Sequence, residues 1–130
     1  MGKVKVKVCG MREHTNIQEV LALQPDFMGF IFYRHTPRFV GDDFVVPENM
    51  SPVTKRVGVF VNETTEVILK KVTDHRLDFV QLHGSETAEQ CADLKKHGVG
   101  VIKVFAIDDE TDFTLTKPYI DVVDFFLFDT

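Results

Sequence analysis

Two periods of apolar spacing alternate along this chain. The stretch "VKVKVCG" (4–10) changes character residue by residue, the period of a strand with two different faces. Behind it, Thr15 and Gln18 form a candidate capping box, and Ile17, Val20 and Leu21 fall on one helical face. "FMGFIFY" (27–33) and "VGVFVN" (57–62) are continuous apolar runs. Asn62 or Thr64 is placed to cap a helix whose Val67, Ile68 and Val72 face inward. "FVQLHG" (79–84) is a further strand, and Ser85 precedes a helix with Ala88, Cys91 and Ala92 on one side. "VGVIKVFAI" (99–107) and "VVDFFLFDT" (122–130) complete a set of six strands.

Strands that are apolar on both faces belong in a parallel sheet covered by helices, and their alternation with helices means repeated βαβ units. Two crossovers depart from that pattern. Residues 34–56 hold Pro37, Pro47 and Pro52, and residues 108–121 are polar with Pro118; each leaves room for a short helix at most. Six parallel strands fit an open doubly wound sheet or an incomplete (β/α)8 barrel, for a closed barrel takes ~200 residues or more. In both, ligands gather at the C-terminal strand ends, which selects Cys9, Tyr33, Arg34, Asn62, His83 and Asp129.

Composition narrows the classes. A chain of 130 residues predicts a single domain, 1–130, and 44% hydrophobic residues with 12 Phe suffice for a core. A net charge of −5 argues against a nucleic-acid surface. No apolar run reaches the ~18 residues of a membrane span, and "MGKVKVKV" lacks a signal-peptide core. Gly2 does not complete a myristoylation motif, because Val6 stands where Ser or Thr belongs. Cys9 and Cys91 form no CxxC pair, so free thiols in a cytoplasmic setting are expected. The five histidines show no metal-ligand spacing.

The motifs taken in order carry more. "KVCGMRE", "DFMGFIFY" leading to Thr36-Pro37-Arg38, "RVGVFVN", "FVQLHG", "VIKVF" and "FLFDT" resemble the phosphoribosylanthranilate isomerase family in sequence and spacing, over almost the whole chain. The resemblance implies parallel (β/α) units of a TIM (β/α)8 barrel, with about the first six strands present. It implies an Amadori rearrangement of a phosphorylated small molecule in tryptophan biosynthesis, run without a cofactor or metal. Cys9 matches the family's general base, Asp129 its general acid, and Arg38 the holder of the anthranilate carboxylate. His83, at the same strand ends, is a candidate substrate contact. The chemistry suits these types: an acid opens the ribose ring, then a base takes the C2 proton, each worth ~10²–10⁴-fold.

Plainer roles stand beside these. Cys91 packs among small residues, Asn62 caps a helix, and His14, His35, His75 and His97 lie on the surface. The family's seventh and eighth units, where barrels usually hold phosphate, have no counterpart here. A flat sheet ordered 1 to 6 would hold Cys9 and Asp129 on the order of 24 Å apart, so only curling unites them. The alternative expectation is an inactive fragment that self-associates through open sheet edges. A third is a small module binding an anion at the strand ends.

Overall fold

The computed structural model describes residues 3–130, so the reading of Gly2 lies outside it. Six parallel strands form one sheet ordered β1 to β6: Lys7–Val8, Phe27–Ile31, Lys55–Phe60, Phe79–Leu82, Gly100–Ala106 and Phe125–Asp129. Helices α1 (His14–Leu21), α2 (Thr65–His75) and α3 (Ala88–Lys96) occupy the crossovers after β1, β3 and β4. A 3₁₀ helix, Phe113–Tyr119, follows β5. The 34–56 crossover holds no helix and returns to the sheet through a bridge between Ile31 and Phe39. β1 is shorter than its alternating pattern predicts. Among the described residues it pairs with β2 alone, and beyond Lys7–Val8 it keeps single bonds, Phe27 N to Val6 O (3.1 Å) and Met11 N to Gly29 O (3.1 Å).

Three rings show that the sheet curls. Phe27 on β2, Phe79 on β4 and Phe125 on β6 meet with centroids 5.4, 5.8 and 5.8 Å apart. Flat, β2 and β6 would lie about 19 Å apart, four strand spacings. The open doubly wound alternative is excluded by that contact. Val57 on β3 and Ile102 on β5 pack against the same rings, with Leu127 above them. Strand alternation then carries the inner face upward through Gly29, Gln81 and Leu127 to Ile31, His83 and Asp129 at the C-terminal mouth.

Two further clusters sit outside the sheet, under the helices. Ile17 and Leu21 of α1 cover Met28 and Phe30, while Ile68, Cys91 and Leu94 of α2 and α3 cover Val80, Leu82 and Val101. Cys91 packs there as expected, and burial pushes its thiol up to about 11.

Helix starts differ from the pattern reading. α1 begins after Glu13 with no side-chain cap, so Thr15 and Gln18 make no capping box. Thr64 caps α2, its Oγ1 accepting from Val67 N at 3.3 Å. Thr87, and not Ser85, caps α3 by accepting from Gln90 N at 3.1 Å. Asn62 caps nothing; its Oδ1 accepts from Ser85 N at 2.7 Å and ties two strand-end loops together. A helix starts where the returning chain meets the sheet, and any Ser or Thr there can serve. Val67 is exposed, because the face that Ile68 and Val72 bury is narrower than three adjacent apolar residues suggest.

His75 is also not on the surface. It is buried at the end of α2, its ring 4.9 Å from that of Phe32, and Val46 N donates to its Nδ1 at 3.4 Å. Burial, with Lys71 nearby, holds its proton affinity below the usual histidine value. An unfolded chain binds that proton more readily, so the stability is complete above pH ~6.5 and declines as pH falls below it. Urea unfolding at pH values about one unit either side of 6.5 is expected to show this slope. His75→Phe should flatten it.

Candidate active site

Each candidate residue reaches the C-terminal mouth by a separate local cause. Cys9 directly follows β1 on the inner face, beside Gly29. A Cβ at Gly29 would lie 2.7 Å from Cys9 Sγ, so the neighbouring strand leaves the thiol room only by having no side chain. Arg38 arrives on the loop after β2. Val40 N donates to Ile31 O at 3.0 Å, folding the loop back over the sheet. Arg38 Nη2 then donates to the Cys9 carbonyl at 2.8 Å. Gly10, at φ +79°, accommodates that guanidinium, which would collide with any Cβ there. Arg12 braces the loop from the other side, Nη1 donating to Pro37 O at 2.6 Å.

Opposite, His83 leaves the end of β4 and Asp129 the end of β6. His83 Nε2 lies 3.4 Å from Asp129 Oδ2. The Asp129 backbone is fixed by Ile107 N, which donates to its carbonyl at 2.7 Å. Both side chains are partly open to solvent, so this pair orients groups and adds little stability. Between the two sides lies an open cavity of about 240 Å³ lined by Ile31, Tyr33, Thr36, Arg38, Val59 and His83, among others. Arg38 contacts Cys9, His83 contacts Asp129, and both line this cavity. The curled sheet thus gathers all four predicted site residues around one mouth.

Two other residues at strand ends stand elsewhere. Arg34 pairs with Asp42 on the outer side of the loop, Nη1 donating to Oδ2 at 3.1 Å. Asn62 serves the loop contact with Ser85. Among the described residues, no group of three or more His, Cys, Asp or Glu is placed to hold a metal.

A buried ion pair on the helix-covered face of the sheet was not among the residues that sequence pattern selected. Lys103 Nζ on β5 lies 3.2 Å from Glu86 Oε1, with the side chains 3% and 0% exposed. Lys103 also donates to Gly84 O at 2.7 Å. Glu86 accepts from Gly84 N and Asn62 N, each at 2.9 Å. Tyr119 Oη donates to the Glu86 carbonyl at 2.7 Å, docking the 3₁₀ helix. The pair therefore fixes the turn immediately after His83. Its sequence signal is a lone Lys within an apolar strand, with a carboxylate shortly after another strand's end.

Comparison with known proteins agrees with this fold. The family described as N-(5'phosphoribosyl)anthranilate (PRA) isomerase matches residues 6–130. An N-(5'-phosphoribosyl)anthranilate isomerase of Parabacteroides distasonis is 47% identical over 130 residues, covering 96% of this chain and 58% of the relative. That of Phocaeicola vulgatus is 48% identical over 125 residues, covering 96% and 60%. The chain thus spans under two thirds of the length of these relatives. The crystal structure of phosphoribosyl anthranilate isomerase from Thermotoga maritima superposes with TM-score 0.84 at 30% identity, covering 98% of this chain and 63% of that one. A second, at TM-score 0.76 and 28% identity, holds reduced 1-(o-carboxyphenylamino)-1-deoxyribulose 5-phosphate and covers 97% and 75%. A sequence match over residues 6–130, with the same curled sheet, places this chain in the N-(5'-phosphoribosyl)anthranilate isomerase family.

Proposed function

We propose that this chain carries the acid–base groups of an isomerase that converts N-(5-phosphoribosyl)anthranilate to 1-(2-carboxyphenylamino)-1-deoxyribulose 5-phosphate. The observation that supports it best is the convergence of Cys9, Arg38, His83 and Asp129 on one mouth, in a chain of this family. Asp129 donates a proton to the ribose ring oxygen. The C1–O bond breaks as the anthranilate nitrogen pushes in its lone pair, giving a protonated Schiff base. The Cys9 thiolate removes the C2 proton, and the C2–H electrons neutralise the iminium to an enolamine. Protonation at C1 and loss of the hydroxyl proton at C2 give the ketose. His83 orients the Asp129 carboxyl, and Arg38 offers its remaining N–H groups to the anthranilate carboxylate.

No cofactor enters these steps. Barrels commonly grip a substrate phosphate with the loops after strands seven and eight, so the six strands here supply the reacting end of the pocket. Free thiols at Cys9 and Cys91 suit a cytoplasmic enzyme of tryptophan biosynthesis. Among the described residues no helix is long and apolar enough to cross a membrane. The test is turnover of phosphoribosylanthranilate by this chain and by a version extended to the relatives' length. Turnover by the extended version is expected; ligand binding without turnover in both would overturn the reading.

A second reading rests on one feature. Phe128 on the outer strand β6 is 45% exposed, with Phe113 of the 3₁₀ helix packed on it and 53% exposed. We infer that the 130-residue chain, on its own, associates through this edge. Sedimentation equilibrium should show a species above 14.8 kDa that dissociates when Phe128 is replaced by Lys.

A further inference from the structure

The inner face of β1 carries cations where a barrel normally places apolar groups. Val8 packs outward into the cluster under α1, so Lys7 and Cys9 face inward. Lys5 marks the same face: its Nζ lies 5.6 Å from the centre of the Phe125 ring and 6.0 Å from that of Phe27. Lys7 runs up the strand toward the mouth. The Cβ position at Gly29 that lies 2.7 Å from Cys9 Sγ lies only 3.2 Å from Lys7 Nζ. Two atoms that close to one point are within about 6 Å of each other, the range in which a cation favours an adjacent anion. Lys7 is half-buried, and among the described residues no carboxylate lies within ion-pair reach of it.

We propose that Lys7 is the electrostatic partner of Cys9, its ammonium stabilising the thiolate. This deepens the isomerase reading, which needs that thiolate as base. Lys7 acts through the sulfur and not on the substrate. The thiol yields its proton to solvent, and the ammonium keeps all of its own. The other charged groups facing the mouth are Arg38 from the β2–β3 loop, His83 from β4 and Asp129 from β6, with Lys5 deeper on β1. Gly29 leaves open the space in which sulfur and ammonium approach each other.

Alkylation by iodoacetamide, an uncharged reagent, tests the pairing on the purified protein near neutral pH, with sites read by mass spectrometry. Lys7→Met should slow labelling of Cys9 several-fold, because the sulfur loses its neighbouring cation. Lys7→Arg keeps the charge and should restore most of the rate. Cys91 is the internal control: fully buried, it stays unlabelled while the fold is intact. Equal Cys9 rates in wild type and Lys7→Met, with Cys91 protected in both, overturn the proposal. Should Lys7→Met expose Cys91, the thiolate ultraviolet absorbance of wild type against Cys9→Ser decides. A difference at neutral pH supports the pair, and none overturns it. None of these readouts needs turnover. A thiolate at Cys9 in a protein without isomerase activity would therefore sink the function and leave the pair standing.

Discussion

Cys9→Ala, made in a chain extended to the relatives' length, is expected to lower kcat by about 10²–10⁴-fold, the contribution of one well-placed base. KM should change little, because the sulfur meets the C2 proton and not the groups that anchor the substrate. The substitution removes one partly exposed atom, so thermal unfolding should move by no more than a few degrees. That combination separates chemistry from folding. A Cys9→Ala enzyme turning over within a few-fold of wild type would remove the thiol from the proton transfer. The geometry behind the expectation is local: Gly29 gives the sulfur its space, and Arg38 holds the carbonyl of the same residue.

Lys103→Met is expected to cost about 3–5 kcal/mol of folding stability, the range for removing one partner of a buried pair. The methionine fills similar volume, so the loss comes from charge. It leaves the Glu86 carboxylate at 0% exposure without its cation. Urea unfolding measures the effect, and a loss below about 1 kcal/mol would show that the carboxylate had found other compensation. Making the site apolar with Glu86→Leu as well should not restore stability. Asn62 N and Gly84 N both donate to Glu86, and each would lose that acceptor. The damage should reach the mouth too, since Gly84 follows His83 directly. In the extended enzyme, Lys103→Met should therefore reduce turnover even where most molecules remain folded.

The order of strands and their parallel sense were legible in the sequence, because an apolar run bounded by polar turns needs no partner to be recognised. Ile17 and Leu21 on α1, and Ile68 on α2, lie buried where helical spacing put them. The caps were less legible. Thr15, Ser85 and Asn62 have the right chemistry for an N-cap, yet the helices start elsewhere. A cap is chosen by where the chain meets the sheet, and that is a tertiary fact. His75 was misplaced for a related reason. Spacing along α2 says which side a residue occupies, but the burial at the helix end comes from the Val46 segment and Phe32 closing over it.

The amino-acid sequence alone determined the family, the six strands and the identity of Cys9, Arg38, His83 and Asp129 as residues of interest. Residue types and their order along the chain suffice for that. Only the tertiary structure decided that these four share a mouth, because strand curvature arises from packing across the sheet. The contact of Phe27, Phe79 and Phe125 records that curvature. Tertiary structure likewise decided that Lys7 points inward beside a thiol and that Lys103 is buried against Glu86. A lysine in a strand reads as solvated until the tertiary structure shows what covers its face, the curled sheet over Lys7 and the helix-side layer with Glu86 and Tyr119 over Lys103.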